Sequence, residues 1–178
     1  MAREILGGFQ LPDGVVRHSE GVHRVAAEAA RLVSEAGIPL DRQLVESAAL
    51  LHDIDKLEVR DRPAEHGLRG AVLLEQLGHP ELAMPVASHP VSCLLDDDRF
   101  PRGWPSVLVA VADRHVAQCF LTVDERLDDM ARRHPEYRGP IEAARRPARA
   151  LAAQVAEAVG LEPPELVERL RAAWERGA

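Results

Sequence analysis

What most constrains this chain is a helical repeat of small and branched apolar residues whose inward face repeatedly ends in histidine or aspartate. Val22, Val25, Ala26, Ala29, Leu32 and Val33 recur at three- and four-residue intervals, which predicts one helix with a buried stripe. The segment opening at Gly14 is expected to become helical near Ser19, and Gly37 and Pro39 stop it. His18, one turn before Val22, points to the core side. Asp41 is placed to cap the next helix, where Leu44, Val45, Ala48, Ala49 and Leu51 lead into His52 and Asp53. His52 follows Ala48 by four residues and Val45 by seven, so its ring also faces inward, where an unpaired polar group is costly.

The rest of the chain keeps the same period. A third helical stretch follows Pro63 and carries Leu68, Ala71, Val72, Leu74 and Leu77 before Gly78, with His66 near its start. A short helix over about 81–88 contains Leu82 and Val86 and leads to His89. The aperiodic run from Pro90 to Pro105 reads as a long loop, of the kind that serves as a lid or binding wall. Ser106 to Phe120 reads as a central apolar helix with a polar turn, Asp113, Arg114 and His115, inside it. Thr122 and Glu125 form a capping box for an amphipathic helix ending near His134. A further helix covers 140–159, and a closing one sets Leu166, Leu170 and Trp174 on one side. Aromatics make up 3% of the residues, so the core is expected to be built from closely packed helices. The expected architecture is an all-α bundle in one domain, 1–178, with helices over about 122–175 packing on a core of about 16–120.

Charge and composition narrow the partners. The formal net charge is −7, which disfavours nonspecific attraction to nucleic acid or an anionic membrane surface, and the few aromatics leave little for stacking bases. Cys93 and Cys119 have no metal-type spacing and read as reduced, mostly buried thiols. With no signal-like N-terminus and no run of 18 apolar residues, a cytoplasmic protein is expected.

Taken singly, the polar residues have ordinary structural roles. His18 reads as a hydrogen-bonded core histidine, Asp53 as a cap, and Asp113 as a partner for Arg114 or another arginine. His23, His79, His115 and His134 are read as ordinary residues, and the run Asp96-Asp97-Asp98 as a solvated loop. Taken together, His18, His52, Asp53 and Asp113 put two imidazoles and two carboxylates on core-facing parts of three helices, which is the donor set of a divalent metal site.

These residues carry a resemblance. His18, the adjacent His52-Asp53 and Asp113 match the H…HD…D signature of the HD superfamily of metal-dependent phosphohydrolases; "RHSEGVHRVA" resembles its first motif helix, and "AALLHDIDK" is similar to the common "LLHDIGK". The departure is Asp55, where the common form has glycine, a carboxylate either solvated or holding a nearby basic group. The resemblance implies an all-helical fold with a central metal held by His18, His52, Asp53 and Asp113. A two-metal subgroup uses two more histidines, which places His66 and His89 as further ligands and Asp53 as the bridge. One or two ions per chain are therefore expected, with manganese, iron, cobalt, nickel and zinc all compatible.

The expected chemistry is hydrolysis of a small phosphate ester, a nucleotide or phosphomonoester, with Asp53, Lys56 and Asp113 catalytic and Lys56 and Arg114 facing substrate. Arg60, Arg62, Arg69, Arg99 and Arg102 are weaker candidates, read first as solvated surface arginines. Gly7 and Gly8 lack the spacing of a phosphate-binding loop. Two alternatives stay open: a di-iron oxygenase on the same ligand set, and a non-catalytic metal-containing module that binds a nucleotide. Oligomeric state is left open by the sequence.

Overall fold

The computed structural model describes residues 1–177. Among them the chain forms helices α1 (Ala2–Gly8), α2 (Asp13–Glu35), α3 (Arg42–Leu51), α4 (Leu68–Gln76), α5 (Ala83–Ser88), α6 (Gly103–Asp113), α7 (Val123–Arg133), α8 (Arg138–Ala158) and α9 (Pro163–Glu175), with 3-10 turns at Pro63–Glu65, Pro80–Leu82, Val91–Leu95 and Pro135–Tyr137. The all-helical bundle expected from the periodicity is the fold. No helix of the described residues is long and apolar enough to cross a membrane.

The long helix α2 is the hub, packing against α3, α6 and α9. Its stripe of Val22, Val25, Ala26, Ala29 and Val33 is buried, as are Val45, Ala48 and Leu51 of α3 and the run Val107–Ala112 of α6. Side chains this small let helix axes approach closely, and each fully buried valine or leucine contributes roughly 1.5–3 kcal/mol. Gly21 marks the closest approach: a Cβ there would lie 2.9 Å from Val116 Cγ1 and 3.2 Å from Trp174 Nε1, so its absence lets α9 and the segment after α6 seat on α2.

Several element boundaries differ from expectation for local reasons. α2 starts at Asp13, ahead of Ser19, because Pro12 presets the entry and Asp13 favours the first turn. The long loop expected from Pro90 to Pro105 is largely structured. Val91–Leu95 forms a 3-10 turn that buries Cys93 and Leu94 and packs on α8, and α6 already starts at Gly103. The polar turn expected inside a helix over 106–120 ends that helix instead. α6 stops at Asp113, and the chain folds back through an isolated antiparallel bridge between Val116 and Phe120. His115 pins this turn, its Nδ1 donating to the Leu121 carbonyl at 2.8 Å and its ring stacking on Phe120. Cys119, expected to be buried, is exposed on the same turn, whereas Cys93 is buried.

The Thr122–Glu125 capping box forms, with the Glu125 amide donating to Thr122 Oγ1 and the Thr122 amide to Glu125 Oε2. α7 is tied to α8 through Arg145, which bonds Asp124 at 2.9 Å and Asp128 at 2.6 Å. These exposed pairs each contribute little, but together they fix which face of α7 turns inward.

Candidate metal centre

Three helices end at one point. His52 follows the last residue of α3, His89 follows the last of α5, and Asp113 closes α6. Helix C-termini leave carbonyl groups without intrahelical donors and carry partial negative charge, an environment that favours a cation. Two of those carbonyls also orient the rings. His52 Nδ1 donates to the Ala49 carbonyl at 2.8 Å, and His89 Nδ1 donates to the Val86 carbonyl at 2.6 Å. Each bond reaches back three residues into the last turn and leaves the Nε2 lone pair aimed at the centre.

His18, from the second turn of α2, completes the first group. Its Nε2 is 3.1 Å from His52 Nε2 and 3.2 Å from Asp113 Oδ1. His66, just ahead of α4, completes the second: its Nε2 is 3.1 Å from His89 Nε2 and 3.1 Å from Asp53 Oδ1. Asp53 lies between the two groups, with Oδ2 3.9 Å from His18 and Oδ1 3.7 Å from both His52 and His89. Two overlapping clusters, His18–His52–Asp113 and His52–Asp53–His89, share His52 and bring their donor atoms close enough for one or two divalent ions.

The donor chemistry fits a cation. Two imidazole lone pairs facing each other at 3.1 Å repel unless a proton or a metal lies between them, and metal–nitrogen bonds of about 2.1 Å set neighbouring donors about 3 Å apart. Burial moves the His52 pKa from 6.5 down to about 3 and lowers that of His89 as well, which keeps both rings neutral as ligands require. Burial alone would raise the Asp53 carboxyl, but the Lys56 ammonium beside it, with hydrogen bonding from His66 and His89, holds it well below its ordinary value. Burial likewise opposes ionisation of Asp113, and the Arg114 guanidinium with His18 outweighs it. His52 and His89 are thus neutral imidazoles beside the ionised carboxylates Asp53 and Asp113, the protonation states a divalent-metal centre requires of them.

Asp55, the departure from the family form, is fully buried and fully bonded. His66 Nδ1 donates to Oδ1 at 2.8 Å, and the Gly67 and Gly70 amides donate to Oδ2 at 2.8 and 2.9 Å. The carboxylate therefore does hold a basic group, and it fixes the His66 ring with Nε2 toward the centre. Gly67 makes this possible with φ of +80° and no Cβ, which would otherwise sit 2.9 Å from the Val86 carbonyl oxygen. Against its burial, the bonds to Asp53 and Asp55 raise the His66 pKa.

Lys56 and Arg114 end in different surroundings. The Lys56 ammonium is half exposed at the rim, 3.3 Å from both Asp53 Oδ1 and His66 Nε2. Arg114, expected to face substrate, is 3% exposed, with Nη1 2.8 Å from Asp113 Oδ2 and Nη2 donating to the His89 carbonyl at 2.5 Å. A guanidinium committed to those two partners props Asp113 and the end of α5, and the substrate-facing expectation gives way to that packing. Arg69 and Arg99 are engaged by Glu58 and Asp96 away from the centre. Arg126 of α7, not among the expected site residues, has Nη2 3.8 Å from Asp113 Oδ1. The signal that could have found it is a charge three residues after Val123 and four before Met130, on the stripe that α7 turns inward.

Comparison with known proteins agrees with this geometry. The HD domain family matches residues 15–117, more than half of the chain. An uncharacterized protein of Methanocaldococcus jannaschii is 33% identical over 94 residues, which are 52% of this chain and 54% of that protein, so the similarity spans about half the length of each. No solved structure matches the chain significantly. With His18, His52-Asp53 and Asp113 gathered at one centre and the family match running through all of them, the chain belongs to the HD domain family, whose fold is that of metal-dependent phosphohydrolases.

Proposed function

We propose that this centre binds two divalent cations and hydrolyses a small phosphate ester, a phosphomonoester or nucleotide. The observation that carries the reading is the position of Asp53, which turns Oδ2 toward His18 and Oδ1 toward His66 and His89, with His52 also 3.7 Å from Oδ1. On this reading His18, His52 and Asp113 would hold one ion, His66 and His89 the other, and Asp53 would serve both. Divalent ions so placed supply Lewis acidity, making water a nucleophile near neutral pH and drawing charge from the phosphoryl oxygens.

The protein's own groups do the rest. Asp53 stays ionised and keeps the two donor groups in register. Asp113, held through Oδ2 by Arg114, turns Oδ1 toward His18, where it would steady a water beside that ring. Lys56 has a flexible stem and a half-exposed ammonium at the rim, which suits it to meet substrate oxygens. Apolar walls from α3 and α6 exclude bulk water behind the centre and strengthen each of these interactions.

The test is metal content and turnover on protein purified without chelator or nickel resin, alongside His66→Ala and His89→Ala. Close to two ions per chain, falling toward one in either variant, with release of phosphate from a panel of monoesters and nucleotides, is the expected result. One ion unaffected by the two changes would refute the two-ion site. Retained iron with oxygen uptake and no phosphate release would move the chemistry to an oxygenase, and bound metal with no turnover would leave a binding module.

A further inference from the structure

Arg126 stands beside the centre as a largely buried cation that no carboxylate bonds. Its side chain is 13% exposed, and its only hydrogen bond among the described residues is from Nε to the Asp113 carbonyl at 3.4 Å. Nη2 stops 3.8 Å from Asp113 Oδ1 and Nη1 3.7 Å from Asp129 Oδ2. Both carboxylates have other cations beside them. Asp113 is held by Arg114 at 2.8 Å and faces His18 at 3.2 Å, while Asp129 is paired with Arg132 at 3.0 Å and with Arg133.

The guanidinium lies within ion-pair distance of both acids yet hydrogen-bonds neither carboxylate, and a purely structural arginine would be expected to close onto one of them. Instead, buried Val123 and Leu127 anchor α7 and set Arg126 next to the oxygen of Asp113 that faces His18. Lys56 stands on the other flank, by Asp53 and His66. The two cations therefore bracket the donor groups. Arg126 also lies beyond residues 15–117, so it comes from the part of the chain that the family match does not cover.

We infer that Arg126 is a substrate-binding residue, its two terminal nitrogens gripping non-bridging oxygens of a phosphate monoester that enters between it and Lys56. This rests on the phosphohydrolase reading above. A planar fork with two free nitrogens matches a phosphoryl group bidentately, which an ammonium does not. Helix α7 would then set which phosphate esters are accepted, independently of the metal ligands.

The experiment titrates inorganic phosphate into manganese-loaded wild type, Arg126→Gln and Arg126→Lys by calorimetry. Manganese stoichiometry, thermal unfolding, and kcat and KM on p-nitrophenyl phosphate are measured on the same preparations. Arg126→Gln is expected to bind phosphate at least about tenfold more weakly and to raise KM, with two manganese ions retained and the melting point little changed. Arg126→Lys is expected to fall between the two. Wild-type phosphate affinity in a folded, metal-loaded Arg126→Gln would overturn the inference and leave the hydrolase reading intact. If the glutamine variant does not fold, Arg126→Lys decides: several-fold weaker phosphate binding supports the inference and wild-type affinity overturns it. A wild type that neither binds phosphate nor releases it from esters would overturn the hydrolase reading, and this inference with it.

Discussion

Replacing Asp55 by asparagine keeps the shape of the side chain and removes its charge, at a position where the carboxylate accepts from His66 Nδ1 and from the amides of Gly67 and Gly70. An amide group can face the imidazole or the two backbone donors with its oxygen, never both, so one side meets an NH2 group and loses its acceptor. The residue is fully buried, so water does not substitute. Losing a hydrogen bond to a charged acceptor costs about 1.5–3 kcal/mol, and a donor left unsatisfied adds to it, giving about 3 kcal/mol for the variant. For a chain of this size that is about 6–12 °C in melting temperature. The same change frees the His66 ring, and loss of such an outer partner typically weakens metal binding about 10–100-fold. The assay is urea unfolding of the chelated protein together with manganese titration. Asp55→Asn is expected to lower stability by that amount and to weaken the ion held by His66 and His89 more than the one held by His18. A variant within about 0.5 kcal/mol of wild type, with both ions bound as before, would refute the role assigned to Asp55.

Two other outcomes follow from the buried charges. His52 and His89 have folded-state pKa values below 6.5, so as the pH falls below 6.5 the unfolded chain takes up protons that the folded one refuses. Asp53, Asp55 and Asp113 have lowered values too, and they withdraw further stability as the pH drops below their ordinary 3.8. His66, with a raised value, works the other way: its contribution is full below 6.5 and is lost as the pH rises through its folded value. Urea titrations of chelated protein from pH 7 to pH 3 should therefore show a net fall in stability toward acid, and a flat profile would contradict the burial of these groups. Arg114→Met strips the Asp113 carboxylate of its buried partner and is expected to cost about 3–5 kcal/mol in chelated protein. Manganese should restore part of that loss by supplying a counter-charge, which thermal unfolding with and without the metal would reveal.

The electrostatic design accounts for how an apolar bundle tolerates these residues. Each buried carboxylate at the centre has a cation at hand: Lys56 for Asp53, Arg114 for Asp113, and His66 for Asp55. The buried neutral rings His52 and His89 are each satisfied by a carbonyl of their own helix. This arrangement lets the fold form around the centre with few buried groups left unbonded there.

The periodic apolar runs were legible in the sequence because a helix repeats every 3.6 residues and its buried face needs no knowledge of the partner. That was enough for α2, α3 and α7, for the Thr122–Glu125 cap, and for the inward turn of His18 and His52. Helix ends were less legible. At Asp113 and at Val91–Leu95 the chain obeys contacts with α5, α7 and α8 that lie far away in sequence, so a polar turn became a terminus and an aperiodic run became a packed 3-10 turn.

The same distinction holds at the centre. The sequence by itself pointed to the side chains that gather at the centre, because two histidines and two aspartates on apolar stripes would be costly to bury unless something paired them, and His66 and His89 followed from resemblance. Only the tertiary structure decided what each cation and second carboxylate does. Whether Asp55 is solvated or clamps His66, whether Arg114 faces substrate or props Asp113, and whether Arg126 is near the centre at all depend on distances of a few ångströms between elements remote in the chain. Local periodicity fixes the face on which a residue lies, whereas its partner is fixed by how the helices pack.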